Sequence, residues 1–264
     1  MPANFVFTLT AGRTGTAWLA ELLRSNLPDC ESHHEILGYD RFGLDTPDLS
    51  HFTLFNSVGS VPDVAAFWAR KAERVMTSKA RWYCETSHLL MKAGLVENID
   101  RFSRQGPVHL IALTRDPVDT VSSYTRRGDM NNAGNQWLWH LDPDYPLNVL
   151  NAAPFLERGL LAVRYWYWME IEARQGLYAS LLADRADVQV HRHSLETLRA
   201  DPTALFADLG VEVPTPVLPA PKNTGKRAML SDPDRRVVER VVSLFAGDAF
   251  ALGQAAYAQG HRFA

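Results

Sequence analysis

The chain reads as an α/β protein in a single domain, 1–264, built on a parallel β-sheet with helices on both faces. Three observations predict it. Short β-branched and aromatic runs alternate with stretches of helical periodicity. Two of those runs, Phe5 to Leu9 and Val108 to Thr114, are nearly continuous in apolar residues, as strands buried on both faces are. The segments between runs are long enough for crossover helices, so the strands run parallel.

Each element has its own signal. Phe5-Val6-Phe7-Thr8-Leu9 is the first strand, and Ala11 to Gly15 follow with small residues and two glycines. From Thr16 the spacing turns helical, with Trp18, Leu19, Leu22 and Leu23 on one face. Pro28 stops that helix in a turn, Asn26 to Asp29. Cys30 to Ile36 is a short second strand with polar residues at its end, and Leu37 to Ser60, broken by Gly38, Gly43, Pro47 and Gly59, is a long surface connection. Val61 to Ser78 is helical, Trp82 to Thr86 a strand, and about Ser87 to Phe102 a helix. After the Val108 to Thr114 strand, Asp116 caps a helix that starts at Pro117 and runs to about Arg127. Asp129 to Pro154, rich in Asn, Asp, Pro and Trp, is a second functional loop. Gly159 to Leu182 is a long helix whose Tyr165, Trp166, Tyr167 and Trp168 read as core. Val188 to His191 is the last strand, and Ser194 to Leu209 a helix interrupted near Pro202. A proline-rich linker, Thr215 to Lys226, leads to a final helix capped by Ser231 and ending at Phe245.

Composition narrows the function classes. With 264 residues, 46% of them hydrophobic, the chain can bury a sizeable core. A net charge of -3 gives no reason to expect a nucleic-acid partner, so any basic site is local. The two cysteines, Cys30 and Cys84, make neither a disulfide framework nor a four-ligand zinc site, and read as buried thiols in a reducing compartment. The N-terminus has no signal-peptide pattern and no apolar run approaches the roughly 18 residues of a membrane helix, so the expected location is the cytoplasm.

Strand, glycine loop and helix in succession turn backbone N–H groups toward an anion. Gly12 and Gly15 permit left-handed backbone, Arg13 adds a charged fork, and Thr14 and Thr16 add hydroxyls. A plain strand-turn-helix joint explains the same loop. It is not a Walker A sequence: Gly12 to Gly15 is too short and no Lys follows Gly15. The strand ending at Thr114 is followed by Arg115, where a magnesium enzyme would place Asp. That cation, with Ser123 two turns on, suits a second anion. The plainer alternatives are a salt bridge from Arg115 to Asp116 or Glu85, and surface serines at Ser122 and Ser123. The glycine loop, His33-His34-Glu35, Glu85 to His88 and Arg115 all follow strands, so they should share one rim of the sheet.

The segments T-A-G-R-T-G-T-A-W-L (Thr10 to Leu19) and T-R-D-P-V-D-T-V-S-S-Y (Thr114 to Tyr124) together resemble the sulfotransferase superfamily, in its bacterial and Golgi-type branch. The resemblance implies a P-loop NTPase-like fold and 3′-phosphoadenosine 5′-phosphosulfate (PAPS) as sulfuryl donor, with no metal. It implies that Gly12, Arg13, Thr14, Gly15, Thr16 and Ala17 hold the 5′-phosphosulfate, and that Arg115 and Ser123 hold the 3′-phosphate. Y-C-E-T-S-H (Tyr83 to His88) is similar to the family's E-K-S/T-P-x-H, with Thr86 in place of Lys. H-R-H-S-L-E (His191 to Glu196) stands where members often read R-Y-E-D-L. Lys222, Asn223, Lys226 and Arg227 resemble the basic loop that closes over the donor.

A sulfuryl group carries less charge than a terminal phosphoryl, so positioning and cationic stabilisation suffice without a metal. Arg13 is the candidate for stabilising the leaving phosphate. The acceptor needs a base. Glu35 is the first candidate by resemblance, followed by His34 and His33, then His88. A metal on His33, His34 and Glu35 is disfavoured, because adjacent strand residues point to opposite faces. Trp137, Trp139, His140 and Glu85 are the candidate acceptor contacts, for a hydroxyl or amine on a small molecule, glycan or lipid. The competing classes are a P-loop kinase and a non-catalytic module that binds bis-phosphorylated adenosine.

Overall fold

Parallel pairing organises five strands: β1 (Asn4–Leu9), β2 (Cys30–His34), β3 (Trp82–Thr86), β4 (Val108–Thr114) and β5 (Val188–Ser194). They form one sheet in the order β2-β3-β1-β4-β5. The structure, a computed structural model, describes residues 1–36, 50–131, 140–220 and 230–263. The helices up to the second functional loop are α1 (Thr16–Asn26), α2 (Ser50–Val58), α3 (Pro62–Val75), α4 (Asp100–Ser103) and α5 (Pro117–Arg127). Beyond it come α6 (Ala153–Leu156), α7 (Leu160–Leu181), α8 (Leu195–Ala200), α9 (Thr203–Asp208), α10 (Asp232–Leu244) and α11 (Ala249–Ala258).

The chain divides into two compact units. One, Met1–Thr114 with Leu182–Lys222 and Ala264, contains the whole sheet. The other, Arg115–Leu181 with Asn223–Phe263, is helical.

In the sheet unit β1 is paired on both sides, Phe7 lying opposite Glu85 of β3 and Leu110 of β4. Its alternate side chains go to different faces, and both faces are covered. Val6 joins Cys84, Ile111 and Leu113 against Trp18, Leu19, Leu22 and Leu23 of α1 and Leu195, Leu198, Leu205 and Phe206 of α8 and α9. Phe5 and Phe7 instead meet Phe102, at ring-centroid distances of 5.7 and 4.9 Å. Each such side chain contributes about 1.5–3 kcal/mol through burial. This double covering is why the first strand reads as an unbroken apolar run.

The helical unit is built around α7. Arg174 donates to Glu170 at 2.7 Å, and the Glu170 oxygens accept the backbone N–H groups of Val149 and Leu150 at 3.0 and 2.8 Å. Of the four aromatics expected in the core, Tyr165, Trp166 and Tyr167 are buried and Trp168 is half-buried. α11 crosses α7 through two glycines. A Cβ on Gly253 would come within 1.7 Å of the Ala173 carbonyl oxygen, and one on Gly176 within 2.0 Å of the Phe250 oxygen.

Several sequence expectations need correction. The helix expected over Ser87 to Phe102 is two 3₁₀ turns, Met91–Ala93 and Val96–Asn98, followed by α4. Gly94 breaks it at φ 82, where a Cβ would meet the Phe55 ring at 2.9 Å. The connection from Leu37 to Ser60 carries α2. The second strand stops at His34, because Glu35 turns into left-handed backbone at φ 54. α11, rich in small apolar residues, was not anticipated. By length and composition Asp232–Ala258 passes as a membrane span, contrary to the expectation that no stretch approaches one. In the structure that stretch is α10 and α11, with Phe245 and Asp248 capping the break between them.

Candidate active site

The glycine loop follows β1 and enters α1. Gly12, Arg13 and Gly15 all take positive φ, at 78, 59 and 90°. For Arg13 that conformation costs on the order of 1–2 kcal/mol, a strain typical of ligand-holding loops. The loop is tied down from below. Thr10 Oγ1 donates to the Leu113 carbonyl at 2.7 Å, so the Thr14 hydroxyl, 2.6 Å away, donates to Thr10. Thr14 is buried and its hydroxyl is committed inward, to Thr10. Gly15 is the N-cap of α1, and no side chain caps the helix. The first-turn N–H groups and the positive end of the helix dipole are thus served by no capping side chain. Thr16 is buried, and Ala17 follows it in the first turn.

The ends of β2 and β3 converge on this loop. Thr8 Oγ1 donates to the Ser87 carbonyl at 2.9 Å and accepts the Ser87 N–H at 2.8 Å. Thr86 Oγ1 donates to the Thr16 carbonyl at 2.9 Å. The Thr86 carbonyl accepts both the Glu35 N–H at 3.0 Å and His34 Nδ1 at 3.1 Å. These clasps lay His88 on the glycine loop: a Cβ on Gly12 would meet His88 Cγ at 3.0 Å. Glu35 then lies between two imidazoles, with His34 Nε2 3.7 Å from one carboxylate oxygen and His88 Nε2 3.7 Å from the other. The three groups are partly exposed, so a substrate can reach them. His33 points the other way and meets Glu31 at 2.7 Å, as strand alternation requires.

Behind this cluster lies a buried pair. Lys71 Nζ is 2.8 Å from Glu85 Oε1, and Tyr83 donates its hydroxyl to Glu85 Oε2 at 3.0 Å. Burial, and then the Glu85 charge, push the Tyr83 phenol well above its usual range and keep it a donor. Glu85 was expected to contact the acceptor; it is fully buried in this pair. Lys71 Nζ also lies 3.5 Å from the Ile36 carbonyl, one residue past Glu35. Lys71 and Lys92, whose Nζ is 3.0 Å from His88 Nδ1, are the site residues that sequence reasoning missed. Lys92 lies four residues after His88, across a turn rather than on a helix face.

In the helical unit Asp116 caps α5, accepting the Asp119 N–H at 2.9 Å, with Pro117 in the first turn. Arg115 Nη2 lies 3.5 Å from Asp119. Arg235 donates to the other Asp119 oxygen at 2.8 Å. Burial works against the Asp119 charge, but Arg235 and Arg115 outweigh it and hold the carboxyl below its usual range. Ser123 is buried two turns along the same helix. His140 packs edge-on against Tyr167, ring centroids 5.2 Å apart. Trp137, Trp139, Lys222, Asn223, Lys226 and Arg227 lie outside the described residues. Among the described residues no group of three His, Cys, Asp or Glu side chains has the geometry of a metal site.

No family model matches the chain. No curated protein is similar to it. Similar solved structures include the crystal structure of a sulfotransferase from Alicyclobacillus acidocaldarius, at 16% identity over 98% of this chain and 96% of that one, TM-score 0.43. They include the sulfotransferase domain from the curacin biosynthetic pathway, at 13% identity over 99% of both chains, TM-score 0.49. They also include mouse sulfotransferase SULT7A1 complexed with PAP, at 14% identity over 96% of this chain and 88% of that one, TM-score 0.42. These likenesses span nearly the whole chain at low identity, and the three structures are all sulfotransferases.

Proposed function

We propose that the chain is a PAPS-dependent sulfotransferase that moves a sulfuryl group to a hydroxyl or amine of a small-molecule, glycan or lipid acceptor. One observation carries this reading: the α1 N-terminus, without a side-chain cap behind a left-handed glycine loop, lies beside a carboxylate flanked by two imidazoles. The first feature suits the donor's phosphosulfate, and the second suits proton removal from an acceptor.

In this reading the backbone of Gly12 to Ala17 and the Arg13 guanidinium hold the 5′-phosphosulfate. Arg115 and Ser123 are proposed as contacts to the 3′-phosphate, and Lys222, Asn223, Lys226 and Arg227 as a basic cover, on the sequence resemblance. Glu35 takes the acceptor proton as the acceptor oxygen or nitrogen bonds to sulfur. The bond from sulfur to the bridging oxygen breaks, and its electron pair leaves with 3′-phosphoadenosine 5′-phosphate. Arg13 stabilises the charge that grows on that oxygen.

The test is calorimetry with 3′-phosphoadenosine 5′-phosphate in the absence of magnesium, together with a sulfuryl-transfer assay on Glu35→Gln. Binding is expected for both proteins, with turnover of the variant reduced by about 10²–10⁴-fold. Failure of the wild type to bind the nucleotide refutes the reading. A magnesium requirement for activity would favour phosphoryl transfer, and near-normal turnover in the variant would move the base role to a histidine.

A further inference from the structure

Lys92 is buried, 1% exposed, yet it brings its Nζ 3.0 Å from Nδ1 of His88. Its backbone is held in place: Asn56 donates to the Lys92 carbonyl at 2.6 Å, and the 3₁₀ turn Met91–Ala93 ends at Gly94. An ammonium has three donors and no lone pair. His88 Nδ1 therefore accepts, and the neutral ring carries its proton on Nε2.

His34 is held in the opposite sense. Its Nδ1 lies 3.1 Å from the Thr86 carbonyl oxygen, which only accepts, so Nδ1 carries the proton and Nε2 the lone pair. Both Nε2 atoms lie 3.7 Å from Glu35, one at each oxygen. The carboxylate thus has an N–H on one side and a lone pair on the other.

We propose that Lys92 is a positioning residue that locks His88 in the Nε2-protonated tautomer, which makes His88 a fixed hydrogen-bond donor beside Glu35 and bars it from serving as the base. The consequence for catalysis rests on the sulfotransferase reading and narrows the base to Glu35 or His34. The tautomer itself stands without that reading.

The experiment is two-dimensional ¹⁵N spectroscopy of the histidine rings at neutral pH, with the His88 signals assigned by their loss in His88→Gln. The wild type is expected to show His88 with Nε2 protonated and Nδ1 bare. In Lys92→Met, which keeps length and removes the charge, that single pattern is expected to give way to exchange between tautomers. A wild-type His88 protonated on Nδ1 overturns the proposal, even if the variant does not fold. A Lys92→Met spectrum identical to wild type overturns it as well. The predicted pattern in a protein that fails to bind the bis-phosphorylated nucleotide would sink the functional reading and leave this one standing.

Discussion

Among the described residues each unit holds a buried glutamate against a cation, and the two pairs are wired differently. In the sheet unit Glu85 meets Lys71 at 2.8 Å, and its other oxygen accepts the Tyr83 hydroxyl. In the helical unit Glu170 meets Arg174 at 2.7 Å, and its oxygens also accept two backbone N–H groups, from Val149 and Leu150. Buried ion pairs seldom add net stability; they fix a geometry. Glu170 fixes irregular backbone, since it satisfies N–H groups that no helix or strand takes up. Glu85 fixes a side chain, Lys71, whose Nζ also faces the Ile36 carbonyl beside Glu35. The difference teaches that a similar pair of charges serves chain tracing in one unit and stands behind the candidate chemistry in the other.

Removing the cations tests this contrast and should give the largest effects. Lys71→Met leaves Glu85 with one neutral hydrogen bond, whereas Arg174→Met leaves Glu170 with two N–H donors. Each is expected to cost about 3–5 kcal/mol in urea unfolding, with Lys71→Met nearer the top of that range. The reverse order would break the comparison.

The double variant Lys71→Met, Glu85→Gln sharpens it. With both charges gone, most of the lost stability should return, because no buried charge is stranded. If the proposed sulfotransferase reading holds, sulfuryl transfer by the double variant should still fall below wild type, because the Ile36 carbonyl has lost its Lys71 contact. Recovery of both stability and turnover would show that the pair does not position Glu35.

The smallest effect concerns a buried polar group without a dedicated counter-charge. His109 on β4 has its Nδ1 3.1 Å from His191 Nε2, and burial, reinforced by His191, lowers its pKa from 6.5 to about 4. Above pH 6.5 the native and unfolded chains are both neutral at this site, and its contribution to stability is fully present. As pH falls from there toward about 4, the unfolded chain takes up a proton that the native one refuses, so stability is lost across that window. His109→Gln should flatten the fall in thermal midpoint over the same range. An equally steep fall in the variant would assign the acid sensitivity elsewhere.

The cap at Asp116, the break near Pro202 and the cap at Ser231 were legible in the sequence because each depends on residues within a few positions. The same holds for the passage from β1 through the glycine loop into α1. Where local reading failed, a remote contact had intervened. Gly94 ends a helical turn because the Phe55 ring occupies the space of its Cβ, and α11 reads weakly by itself because its glycine seat is on α7.

Linear pattern alone determined the alternation of strands and helices, the glycine loop between β1 and α1 and the residues near it that could take or hold a proton. Only the tertiary structure decided that β3 lies between β2 and β1, and with it that Glu35 meets both His34 and His88, that Lys71 reaches Glu85, and that the Thr14 hydroxyl turns inward. The reason is physical. Periodicity and capping are energies of near neighbours along the chain, whereas partners of buried polar groups are chosen by strand order and register, which join residues tens of positions apart.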